Sequence, residues 1–162
     1  ASILGMGLSS RLFQEVRTKR GLAYAVSAHH NSFKDTGVFS IYAGVLKEKA
    51  DEALDAILAE LKKLKEAEIP SEELERNKRH IKGLTALSLE SNSGLASFFV
   101  GQSLIEDEVL TYEEKCRLVD AVTVSDIKRL ANELFLASHA NLAVVGIGED
   151  EKLMELVTGF SS

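Results

Sequence analysis

The chain has 162 residues, 45% of them apolar and 27% charged, with a formal net charge of -6. That length and balance describe one ordinary soluble domain, spanning residues 1–162, with enough apolar material to bury a core. The negative net charge argues against nucleic acid as the main partner, because phosphate binding needs a cationic field.

One cysteine, Cys116, excludes an internal disulfide and fits a reducing compartment. A cytoplasmic location is expected, or an organellar one if the source is eukaryotic. No uninterrupted apolar run of about 20 residues occurs, so no transmembrane helix and no membrane partner are expected. The chain opens without Met on "ASILGMG", an apolar stretch already in progress. An N-terminally truncated chain, with residues missing upstream, is the expectation.

The first predicted element is a helix over "SSRLFQEVRTKR", with Leu8, Leu12, Phe13 and Val16 at helical spacing, Ser9 or Ser10 as its cap and Gly21 as its C-cap. From Leu22 the period becomes two: Tyr24, Val26, Ala28 and His30 share one face, and Ala25, Ser27, His29 and Asn31 the other. "FKDTG" is turn chemistry, and "VFSIYAGV" (38–45) completes an antiparallel hairpin.

Helices follow. Ala50, Ala53, Leu54, Ile57, Leu58, Leu61 and Leu64 form an amphipathic stripe. Ile69-Pro70-Ser71 is a stop and restart, with Ser71 as N-cap and Glu72, Glu73 and Glu75 as a solvated first turn. "SNSG" (91–94) breaks that helix, and a shorter one carries Leu95, Phe98, Phe99, Leu104 and Ile105. Thr111 and Thr123 open two more helices with capping-box patterns. "NLAVVGIG" (141–148) reads as a buried third strand, followed by a terminal helix with Leu153, Met154 and Val157. The order predicts an α+β fold, a small and mainly antiparallel sheet covered by helices.

Metal chemistry has little support here. His29 and His30 are adjacent in a strand and face opposite ways, His80 and His139 are isolated, and no H-x-x-E-H, H-E-x-x-H or Cys/His cluster occurs. Cys116 lies on the helix face of Val119 and Val122 and reads as an inert, buried thiol. Ser9-Ser10 lacks a nucleophile-elbow context, and Gly5-Met6-Gly7 lacks the P-loop ending. The stretch "EVRTKRGLAYAVSAHH" (15–30) remains. Arg17 in the last helical turn and Tyr24 in the following strand are two hydrogen-bond donors, constant in charge near neutral pH, that a glycine turn can bring to one side. The other reading of the same residues has Arg17 capping helix carbonyls and Tyr24 packed in the sheet.

At these residues the sequence resembles the second, C-terminal half of the M16 family of zinc peptidases. The segment "GMGLSSRLFQEVRTKRGLAYAVSAHHNSFKDTGVFSIYAG" carries the likeness, which continues through "SEELERNKRHIKGLTALSLESNSGLASFFV", "DAVTVSDIKRLANELF" and "LAVVGIG". The resemblance implies the LuxS/MPP-like metallohydrolase half, metal-free, that closes over a zinc-bearing domain. That other domain would hold zinc through H-x-x-E-H and a downstream Glu, and no cofactor is expected in this chain. Arg17 would position a peptide substrate, and Tyr24 would donate to its carbonyl oxygen as negative charge develops. The resemblance therefore implies as partner an N-terminal zinc-bearing half or a separate subunit, with a dimer as one possible assembly and no activity in this chain alone. A non-catalytic assembly subunit of the same fold is the alternative, and an anion-binding patch over Arg11–Arg20 a third.

Overall fold

The computed structural model describes residues 1–106, 108–146 and 151–161. It opens with a short helix, α1 (Ser2–Gly5), and a π-helix (Phe13–Lys19), followed by the strands β1 (Ala23–Ser32) and β2 (Gly37–Val45). Among the described residues the α-helices α2 (Ala50–Glu66), α3 (Ser71–Ser88), α4 (Asn92–Ile105), α5 (Tyr112–Ala121), α6 (Val124–Leu134) and α7 (Glu151–Thr158) follow, with short 3-10 turns between some of them. The α+β class and the antiparallel hairpin predicted from periodicity are present, with β1 and β2 paired from Ala23↔Val45 to Ser32↔Gly37.

The core forms where the hairpin's inner face meets helices. Val26 and Ala28 are buried, and the residues opposite them, Ala43 and Ile41, pack on the same cluster. Leu12 and Val16 are completely sealed from solvent, so one side of the first helical segment is committed to the core. Ala53, Ala56, Ile57, Leu61 and Leu64 supply the stripe of α2, three to four residues apart. From α6, Ala131 is buried against this cluster and Ile127 is partly buried on it. Polar ties then lock the layers. Arg11 Nε and Nη2 each donate to a Glu73 carboxylate oxygen at 2.8 Å, joining the first helical segment to α3. Lys65 donates to the Phe135 carbonyl and Asn132 to the Lys65 carbonyl, both at 3.0 Å, joining α2 to α6.

Several expectations need correction. Residues 141–146 form no strand: among the described residues no ladder partner lies beside them, and Val145 is 99% exposed. The rest of that predicted strand, 147–148, lies outside the described residues. Ser71 is the first helical residue of α3 rather than its cap, because Pro70 holds the cap position without a side-chain hydrogen bond. Glu73 is not solvated but sits half-buried on Arg11, and Glu75 pairs with the buried Lys78 at 2.9 Å. Ser10 does not cap; its hydroxyl donates to the Gly7 carbonyl at 2.8 Å. The break at Ser91 and the capping boxes at Thr111 and Thr123 form as read.

Candidate functional site

Two local irregularities shape the region between Phe13 and Val45. The segment carrying Arg17 is a π-helix rather than an α-helix, a wide turn frequent at functional sites. Gly21 closes it with φ +60°, a left-handed conformation that suits glycine. Leu22 N–H donates back to the Val16 carbonyl at 2.9 Å, and Gly21 N–H to the Arg17 carbonyl at 3.2 Å. Backbone groups, rather than a side chain, therefore satisfy the Arg17 and Val16 carbonyls. The Arg17 side chain is exposed, and its guanidinium carbon stacks 4.8 Å above the centre of the Phe13 ring.

The second irregularity is a β-bulge. Ala23 pairs with Val45 and Ala25 with Gly44, so β1 spends two steps where β2 spends one, and Tyr24 is the extra residue. Strict alternation places Tyr24 on the buried face of Val26 and Ala28. The bulge breaks that phase and turns Tyr24 to the open face, where it is 69% exposed. A Tyr24 packed into the sheet interior is thereby ruled out. The open face also carries Ser27, His29 and Tyr42, the last 56% exposed. His29 Nε2 and Ser27 Oγ lie 2.9 Å apart.

The surrounding cations are not equivalent. Arg11 is held by Glu73, and its pKa is raised by that hydrogen bond. Lys19 pairs with Glu15 one turn away, which lowers the Glu15 carboxyl below its ordinary range. Two of the four cations in the proposed anion patch are thus committed to carboxylates. The histidines are dispersed, with His29 on the open face, His30 lining an apolar trough beside Ile3 and Phe39, and His80 next to Gly7. Among the described residues no group of three His, Cys, Asp or Glu side chains is placed to hold a metal ion. Cys116 is a free, half-buried thiol beside Tyr112, whose hydroxyl donates to the Lys82 carbonyl at 3.1 Å.

Sequence reasoning missed Tyr42 and Gly44. The signal was a glycine inside a strand, which marks either a bulge or a group pressed close to the backbone. Gly44 is buried and has both: it faces the bulge, and the Tyr24 ring lies directly over it.

Comparison with known proteins follows the same lines. The family described as the peptidase M16 inactive domain matches residues 1–81. A Bacillus subtilis protein named "Uncharacterized zinc protease YmxG" is 36% identical over 139 residues, covering 86% of this chain and 34% of its own length. The crystal structure of a protease from Helicobacter pylori superposes with a TM-score of 0.75 at 32% identity, over 82% of this chain and 32% of that one. A peptidase M16 inactive domain from Pseudomonas fluorescens gives a TM-score of 0.66 at 27% identity, over 82% and 32% respectively. This chain spans about a third of the length of the curated relatives it matches. A family match over half the chain, on the segment that holds the π-helix, the bulge and the hairpin, settles its kinship: the chain belongs to the M16 peptidases, as their inactive domain.

Proposed function

We propose that this chain is the substrate-holding, metal-free half of an M16 zinc endopeptidase, with residues 1–162 acting as one domain of it. Its counterpart is an N-terminal zinc-bearing half or a separate zinc-bearing subunit, and its substrate is a peptide. The zinc held by that counterpart supplies an activated water when bound. Everything else in the reading concerns what Arg17 and Tyr24 do.

The observation that carries it is the bulge that turns Tyr24 out of the hydrophobic face into the open. A tyrosine needed only for packing has no use for that turn. Its phenol O–H is a hydrogen-bond donor, suited to a carbonyl oxygen that gains negative charge at the tetrahedral stage. Arg17, ahead of the Gly21 turn, presents a guanidinium whose own helix carbonyls do not occupy it. Its stacking on Phe13 limits its swing, so its planar donors meet a main-chain carbonyl at low entropic cost. The division of labour is then a cation that positions the peptide and a phenol that serves the transition state.

The two roles separate in kinetics measured on the protein complete with its zinc-bearing counterpart. Tyr24→Phe removes one transition-state donor and should lower kcat by about 100-fold or more. Arg17→Ala should act chiefly on KM, by about 10-fold. Wild-type kcat/KM in both variants would sink the proposal and return the chain to the reading of a non-catalytic assembly subunit.

A further inference from the structure

A phenol on an open sheet face is free to swing, and a donor that swings is a poor one. Two residues of β2 restrict Tyr24. The first is Gly44: a Cβ there would fall inside the van der Waals envelope of the Tyr24 ring, 2.6 Å from its hydroxyl oxygen. The tip of the ring therefore lies over the Gly44 backbone, and the glycine is buried. The second is Tyr42, two residues earlier on β2 and so on the same face. We infer that Gly44 and Tyr42 are positioning residues for Tyr24, the glycine as a seat for its ring and the second phenol as a brace for its hydroxyl.

The inference rests on the reading of Tyr24 given above but adds two residues to it. Bulge, seat and brace act together. The bulge sends the Tyr24 side chain to the open face, the missing Cβ lets it lie over β2, and Tyr42 stands on that same face two residues from the seat. Hydrogen bonding to the Tyr24 phenol and, second, its charge raise the Tyr42 pKa above the ordinary tyrosine value. A bulkier residue at 44 does not preserve the arrangement, because the colliding atoms are the tip of the Tyr24 ring, hydroxyl included, and that exposed tip has to swing off its seat to make room.

The test uses the protein complete with its zinc-bearing counterpart, carrying Gly44→Ala, Tyr42→Phe and, for reference, Tyr24→Phe. Displacing a donor by about 1 Å costs on the order of 100-fold, so Gly44→Ala should lower kcat by roughly that factor with KM little changed. Tyr42→Phe keeps the ring and loses only the brace, and about a 10-fold fall in kcat is expected. Tyrosinate difference absorbance supplies a readout that does not depend on turnover. The Tyr42 ionisation, seen as wild type minus Tyr42→Phe, should move down in pH when Tyr24 is replaced by Phe. A Tyr42 ionisation indifferent to Tyr24→Phe overturns the inference, as does wild-type kcat in both Gly44→Ala and Tyr42→Phe beside a slow Tyr24→Phe. In the second case the role of Tyr24 survives. A Tyr24→Phe variant with unchanged turnover brings both down.

Discussion

Gly21 links the two proposed functional residues, and its φ of +60° is the reason a side chain is costly there. A Cβ at this position meets no neighbour, so the penalty is conformational rather than steric crowding. Gly21→Ala is expected to destabilise the chain by about 1 kcal/mol, and Gly21→Asn by less, since Asn tolerates the left-handed region. Denaturant melts of the two variants check the order; equal stability of Ala and Gly at 21 would contradict it. A second prediction concerns Arg11 and Glu73. Both side chains are mostly shielded, 19% and 14% exposed, and their two parallel bonds are the fork geometry that only arginine offers. Arg11→Lys keeps the charge but loses the fork, and Glu73→Gln leaves the guanidinium half-buried beside a neutral group. Each should cost about 1 to 3 kcal/mol, read from the same melts.

At the scale of elements, the two threonine capping boxes were the most legible features, whereas Ser10 and Ser71 do not cap. The Thr111 and Thr123 boxes form because each pattern is local: a hydroxyl, a backbone N–H and a carboxylate within four residues satisfy one another. Thr123 lowers the Asp126 pKa, mainly through its hydroxyl, and the Thr111 backbone and hydroxyl lower that of Glu114. A folded pKa below the unfolded one gives stability present above the ordinary carboxylate range and lost as pH falls through the depressed value. Thr123→Ala should therefore lower Tm by about 3 °C at neutral pH, and its melting temperature should fall less steeply than wild type on the acid side. The π-helix and the bulge were illegible for the opposite reason. Leu12 and Val16 fit an α-helical stripe equally well, and the alternation through Tyr24, Val26 and Ala28 gives no sign that its first member is out of phase. The stretch 141–146 failed similarly: its apolar, β-branched composition is strand-like, but a strand exists only where a ladder partner does. Of the proposed site, Arg17 and Tyr24 were readable through family likeness, while the face each presents was not.

For the molecule as a whole, the unfinished surfaces carry the argument. Leu104, Leu87 and Val100 are 72%, 63% and 55% exposed along α3 and α4, and Val145 is almost fully bare. Beside the sheet, an open trough of about 480 Å³ is walled by Phe39, Leu130, Leu134 and Phe135. Scattered apolar residues on a surface are ordinary, but two helices with this much bare leucine and valine, together with a bare apolar segment elsewhere, invite association. In water, each such group that finds a partner contributes on the order of 1 kcal/mol, so a few together suffice for weak self-association of the chain by itself. Sedimentation of the 162-residue chain should accordingly show mass rising with concentration. Leu104→Lys and Val145→Lys place charge where the side chain already meets water, so they should suppress that rise while leaving Tm nearly unchanged. A chain that stays monomeric over the full accessible concentration range, or a lysine pair that leaves the association intact, would show that these surfaces do not attract one another.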